Sequence, residues 1–170
     1  MATKWNLDPT HSEITFKVKH MMISNVKGSF RDFTAEIDAE DDTFQNATTT
    51  ATIQTGSVFT NNIDRDNHLK SAEFFNAEEH PTITFESQAL NNTVTGNLTI
   101  NGITKPVTLD VDFGGINKDP WGNTKAGFSF EGKISRKDFG LNWNAALEAG
   151  GVMVSDDVKV AGELQFVKQS

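Results

Sequence analysis

The sequence predicts an all-β fold of about eight antiparallel strands, and three observations carry that expectation. Apolar and polar residues alternate with period two along much of the chain. The composition favours strands and turns, with 19 Thr and 15 Asn among 170 residues. Glycines recur on the apolar phase of four of these segments, where a sheet bends or is closely approached.

Taken in order, Ile14, Phe16 and Val18 alternate with Glu13, Thr15, Lys17 and Lys19, which makes a strand apolar on one face and wet on the other. Weaker segments lie at 26–38, 47–54 and 82–89. Residues 63–75 break the pattern and read as a short helix or a structured loop. Val94, Leu98 and Ile100 alternate with Thr93, Thr95, Asn97 and Thr99, and Val107, Leu109, Val111 and Phe113 with Thr108, Asp110 and Asp112. Ala126, Phe128, Phe130 and Ile134 alternate with Ser129, Glu131, Lys133 and Ser135. Val158, Val160, Leu164 and Phe166 close the series against Lys159, Ala161, Glu163 and Gln165. Asn91-Asn92 and Asn101-Gly102 supply short hairpin turns, and Pro106 opens a strand rather than interrupting one. A longer loop carries Gly114-Gly115 and Asp119-Pro120-Trp121-Gly122-Asn123. With no internal repeat and no linker, residues 1–170 read as one domain.

Such a sheet closes its apolar face either as a two-layer sandwich or as a barrel. Gly28, Gly96, Gly132 and Gly162 stand in phase with the apolar residues around them. Beside so many Phe residues they suggest a coiled barrel with room inside. The competing reading is that they only relieve crowding at barrel corners. The aromatic set is lopsided, with 13 Phe, 3 Trp and no Tyr. Phe16, Phe30, Phe85, Phe113, Phe128, Phe130 and Phe166 fall on the apolar phase, which points to a dry interior without phenolic handles.

Composition also excludes chemistry. No Cys means no disulfide framework, no thiolate metal site and no cysteine nucleophile, and no Tyr means no phenolic acid or base. A net charge of -8 argues against tracking nucleic-acid phosphates and against docking on an anionic bilayer. No apolar stretch approaches the ~18 residues of a transmembrane helix, so stable membrane insertion is not expected. No apolar leader follows Met1, which sets a cytoplasmic expectation, or a periplasmic or secreted one if a leader has been removed.

Of the four histidines, His11 follows Asp8-Pro9-Thr10 and reads as a capping or turn residue, and His80 precedes Pro81 in a solvated turn. His20 ends its strand on the apolar phase beside Met21-Met22, at the rim of the expected interior. No pair has metal-ligand spacing, no nucleophile elbow or phosphate loop occurs, and neither metal nor cofactor is expected. Arg65-Asp66-x-His68-Leu69 is the densest polar cluster. Its arginine fork suits an anionic headgroup; the alternative is a structural ion pair anchoring the irregular segment. Leu69, Phe74 and Phe75 then form the apolar side of a lid or plug.

The order of motifs resembles the YceI-like family. Trp5-x-Leu7-Asp8-Pro9-x-His11-Ser12-x-Ile14-x-Phe16-x-Val18-x-His20 is similar to its opening, and Val26-x-Gly28-x-Phe30 continues it. Ser57-Val58-x-Thr60 and Arg65-Asp66-x-His68-Leu69-x-Ser71-x-x-Phe74-Phe75 resemble its central block. Pro81-x-Ile83-x-Phe85-x-Ser87, Gly96-x-Leu98-x-Ile100-x-Gly102 and Arg136-x-Asp138-Phe139-Gly140-Leu141 follow in order. The resemblance implies an extended, eight-stranded antiparallel lipocalin-like barrel with a short helical segment near one end. It also implies non-catalytic binding, transport or storage of a long isoprenoid, such as a polyprenyl phosphate or quinone-like lipid, and makes a homodimer plausible. On that expectation Phe16, Phe30, Phe33, Phe85, Leu98, Phe113, Phe128 and Phe130 are lining candidates. His20, Arg65 and His68 are candidates for the headgroup end, and Met22, Asp66, Leu69, Phe74 and Phe75 complete the expected ligand-binding set. Two other readings stand beside it: an enzyme acting on an apolar lipid with His20, His68 and Asp66 as acid–base residues, and a filled β-sandwich working through its surface.

Overall fold

The computed structural model describes residues 3–21, 23–88, 90, 92–142 and 154–169. They form one antiparallel sheet of eleven strands: β1 (Thr3–Leu7), β2 (Glu13–His20), β3 (Ser24–Phe30), β4 (Phe33–Ala39), β5 (Thr48–Gln54), β6 (Val58–Phe59), β7 (Thr82–Ser87), β8 (Thr93–Ile100), β9 (Ile103–Lys118), β10 (Thr124–Ser135) and β11 (Val154–Lys168). Among the described residues one short α-helix, α1 (Ile63–Lys70), lies between β6 and β7.

The eleven segments build eight long strands. β11 pairs on one edge with β10, and on the other with β1 through Leu7↔Phe166 and with β2 through Phe16↔Val160. β1 in turn pairs with β4 and β2 with β3, while β5 pairs with β4 and β6 with β3. Thus β1–β2, β3–β4 and β5–β6 are three long strands, each interrupted once. The β1–β11 and β2–β11 pairings close the sheet into a barrel, which leaves no continuous free edge.

The interruptions have local causes. Between β1 and β2 the chain makes a single 3-10 turn, Pro9–His11, capped by Asp8. The Asp8 carboxylate accepts from Thr10 N at 3.1 Å, from Thr10 Oγ1 at 2.8 Å and from Lys125 Nζ at 2.8 Å, and His11 Nδ1 lies 2.8 Å away. His11 is therefore the turn residue expected. The Lys125 hydrogen bond is the largest influence holding the Asp8 carboxyl well below the usual carboxylate range, against burial, with Thr10 and His11 adding to it.

Asn101 (φ 54°) and Gly102 (φ 75°) both take the left-handed conformation, which gives the two-residue hairpin between β8 and β9 its twist. The Asn91-Asn92 turn includes Asn91, which lies outside the described residues. Pro106 is inside β9 rather than at its start, opposite Asn97. It is tolerated because β10 pairs with β9 only from Asp110 onward, so no neighbour on that side needs the missing N–H. His80 is half-buried rather than solvated.

The interior has two halves. Trp5 (0% exposed), Phe44, Phe128 and Phe166 pack at one end, with Phe44 5.1 Å from both Trp5 and Phe128. They form a floor. Phe30, Val58, Ile83, Leu98, Ile100, Phe139 and Leu141 pack at the other end, beneath α1.

Candidate functional site

The glycines do not themselves open the interior. Gly28 lies opposite Phe16, and a Cβ there would stand 2.8 Å from Phe16 Cε1 and Cε2 and closer still to Cζ. Gly162 receives Phe130 in the same way, with Cζ at 2.7 Å, and Gly96 and Gly132 are filled by Phe85 and Leu109. The crowding-relief reading is therefore correct in its contacts. Its consequence still favours an open lumen, because a ring seated against the wall does not project across the axis.

Two apolar cavities follow that axis. The inner one, about 170 Å³, is bounded by Phe33, Ile37, Thr49, Phe85, Leu90, Val94, Leu98, Phe128, Phe130 and Phe166. The outer one, about 450 Å³, is bounded by Val18, Val26, Leu69, Phe74, Phe75, Phe139, Leu141 and Val158. Phe16, Phe30, Ile83, Ile100, Ile134 and Val160 line both and form the waist between them. Phe16 and Phe30 meet there at 5.5 Å, and Phe75 reaches Phe30 at 5.7 Å from the segment after α1.

Polar groups gather at the mouth of the outer cavity: His20, Asn62, Asp64, Arg65, His68 and Arg136. α1 is N-capped by Asn62, whose side chain accepts from Arg65 N at 3.0 Å. Arg65 Nε donates to Thr60 Oγ1 at 2.8 Å and Nη2 to Thr60 O at 2.7 Å. Asp66 turns away from the cavity and is buried, accepting from Thr60 N at 2.8 Å and from Thr60 Oγ1. The Arg65-Asp66 pair thus anchors α1 by gripping Thr60 from two sides rather than by pairing with itself. His68 Nε2 lies 2.8 Å from Glu73 Oε2, and its ring stands edge-on to Phe74 at 5.0 Å. The His20 ring, half-buried at the end of β2, has no hydrogen-bond partner among the described residues.

Arg136 is the mouth's buried cation. Its guanidinium donates to the carbonyls of Ser155 at 2.9 Å, Leu141 at 2.8 Å and Val154 at 3.3 Å, which ties the end of β10 to β11. Burial pulls its pKa below the usual arginine range, and Asp156 opposes that shift.

The structure thus brings Phe16, His20, Phe30, Phe33, Arg65, His68, Leu69, Phe74, Phe75, Phe85, Leu98, Phe128 and Phe130 around one lumen. Asp66 and Phe113 stand outside it. Phe113 is 43% exposed: opposite Phe128 in the β9–β10 ladder, it stacks on that ring at 5.0 Å and packs against the floor residue Phe44 rather than lining the cavities. Met22 lies outside the described residues. Arg136 and Phe139 were missed as lining residues because the segment 136–141 reads as a turn. Phe139 is 1% exposed, and that turn folds it inward.

A family model described as a YceI-like domain matches residues 5–166. A UPF0312 protein of Staphylococcus epidermidis is 44% identical over 166 residues, covering 96% of this chain and 97% of the relative. The crystal structure of a Campylobacter jejuni YceI protein superposes with a TM-score of 0.76 at 36% identity, over 89% of this chain and 90% of that one. A polyisoprenoid binding domain from Saccharophagus degradans, implicated in plant cell wall breakdown, superposes with a TM-score of 0.74 at 14% identity, over 97% and 98%.

Proposed function

The chain belongs to the YceI-like domain family, and from that premise we propose that it binds a long isoprenoid-type lipid inside the barrel and carries or stores it without chemical change. One observation carries this reading: a blind apolar lumen, floored by Trp5 and Phe44, has its polar groups collected at a single mouth. An amphipathic chain with one polar end matches that polarity. Small-molecule sites occupy ~300–1,000 Å³ and combine apolar walls with a few placed polar groups, and the outer cavity alone falls in that range.

The roles follow from position. Phe16 and Phe30 flank the chain at the waist, and Phe85, Leu98 and Phe128 receive its far end. His20 and Arg65 face the headgroup. Arg65 keeps Nη1 without a protein partner among the described residues while its other nitrogens hold Thr60, so the fork is both fixed and available to a phosphate or a carbonyl. Burying twenty ligand carbons yields roughly 16 kcal/mol gross at ~0.8 kcal/mol each, against association costs of about 4–15 kcal/mol. A ligand of that length survives purification. Binding without catalysis is supported by Asp66, whose carboxylate is engaged by Thr60 and turned from the lumen, so it cannot pair with His20 or His68 as an acid–base partner.

Native mass spectrometry of the purified protein, followed by organic extraction, tests the reading. The expected result is a discrete mass adduct that extracts as a polyprenyl or quinone-like lipid. A protein that carries no adduct, and takes none up from added polyprenyl phosphate or ubiquinone, would overturn it.

A further inference from the structure

The outer wall of the barrel is charge-sorted in a way the net charge of -8 conceals. Lys27 on β3, Lys17 on β2, Lys159 on β11 and Lys133 on β10 are paired in register, one beside the next, and form a single row across four strands. At the spacing of neighbouring strands the row is about 15 Å long. It lies three residues, about 10 Å, from the mouth end of β2, and Lys19 stands one step nearer the mouth on the same face. Lys133 has Asp157 at 4.0 Å. Lys17, Lys27 and Lys159 have no ion-pair partner among the described residues. Two acid pairs of this face lie farther from the mouth, Glu131 opposite Asp110 and Glu13 opposite Glu163, while Asp157 stands on the mouth side of Lys159 beside Lys133. Like charges directly opposite one another destabilise a sheet, so this row is not explained by folding.

The rim itself is apolar. Ile23, in the turn between β2 and β3, is 82% exposed, and Ile63, the first residue of α1, is 76% exposed. Met21 is also exposed. Met21 adjoins His20, Ile23 N donates to His20 O, and Ile63 lies between Asn62 and Asp64, so these residues sit beside the opening that His20, Asn62 and Asp64 line. Asp64, Glu73, Asp156 and Asp157 are acids at that end, set against Lys17, Lys19, Lys27, Lys133, Lys159, Arg65 and Arg136.

The geometry points to the mouth as a docking surface for an anionic lipid bilayer, held by the lysine row through headgroup charge and by Ile23 and Ile63 through shallow insertion. Lysines attract anionic surfaces within a Debye length, exposed apolar residues anchor at the headgroup boundary, and the remote acids repel the surface and so turn the barrel mouth-first. A lipid then passes between bilayer and lumen without crossing water. The inference rests on the lipid-binding reading.

Co-sedimentation of the full chain with phosphatidylcholine vesicles, with and without phosphatidylglycerol, tests it. The wild type should sediment only with the anionic vesicles and be released by high salt. Replacing Lys17, Lys27 and Lys159 together by Ala should weaken binding by roughly five- to tenfold, since the row lies about a Debye length from the surface, and Ile23→Asp with Ile63→Asp by roughly tenfold. These side chains lie outside the lumen, and circular dichroism verifies that each variant is folded. Equal sedimentation with neutral vesicles, equal binding by the variants, or no sedimentation would overturn docking. Native mass spectrometry of the same preparations separates the two readings. A filled lumen without vesicle binding overturns docking alone. An empty lumen that takes up no added polyprenyl phosphate, in a protein that still binds anionic vesicles, overturns lipid binding alone and supports docking.

Discussion

Gly28→Ala perturbs the barrel at its narrowest level. The added methyl would stand 2.8 Å from two Phe16 ring carbons and closer still to a third, whereas carbon atoms attract best at ~3.5–4.0 Å. The ring must retreat by about 1 Å or more. The sheet blocks it on one side and Phe30, 5.5 Å away, limits it on the other, so it swings toward the axis. Overpacking of this kind costs about 1–3 kcal/mol. The lower unfolded-state entropy of Ala returns about 0.4–1 kcal/mol, for a net loss of up to roughly 2.6 kcal/mol. Because Phe16 lines both cavities, the same movement narrows the waist. Urea titration followed by fluorescence, with the fully buried Trp5 as one reporter, measures the first effect, and native mass spectrometry of bound lipid the second. Phe16→Leu in the Gly28→Ala background should recover much of the stability, giving a coupling energy in a double-mutant cycle. A Gly28→Ala protein that is more stable than wild type, with unchanged lipid occupancy, would refute the seated-ring account.

Three further outcomes follow from the contacts around the lumen. Phe44→Ala removes a side chain 2% exposed that touches Trp5, Phe113 and Phe128, and thermal denaturation should show a loss of about 3–5 kcal/mol. Asp66→Ala leaves the Thr60 N–H and hydroxyl without their acceptor and should cost about 1–3 kcal/mol; Thr60→Val should cost a similar amount, and the two together less than their sum in urea titrations. Asp8 has a folded-state pKa lowered by Lys125, so its stabilisation is complete above the unfolded carboxylate value, near pH ~4, and is lost as pH falls through the lower folded value. The urea midpoint should therefore drop on acidification, and Asp8→Asn should reduce that drop.

The alternation of the sequence located the strands because each wall of the barrel is half wet. Ile14, Phe16 and Val18 point inward while Lys17 and Lys19 point out, and period two records that directly. What it could not show was pairing. β1 is too short for alternation to register, yet its pairing with β11 closes the barrel through Trp5 and Leu7. Phe44 was hidden in a polar run, where a positive φ of 61° turns it into the floor. The same limit applied at the mouth. Arg65 and Asp66 read as an anion site or as a structural ion pair, and neither reading named Thr60, their shared partner, which lies on another segment and is reached only in three dimensions. The lysine row was also invisible along the chain, since Lys17, Lys27, Lys133 and Lys159 become neighbours only through strand register.

The most direct test of a lipid-holding lumen is the electron density inside the barrel of crystals grown from protein purified without detergent. The account predicts continuous tubular density that begins beside His20 and Arg65, passes between Phe16 and Phe30, and ends above Phe128. A lumen closed by inward rotation of Phe16, Phe30 and Phe75, with no density along the axis even after soaking with polyprenyl phosphate, would contradict it.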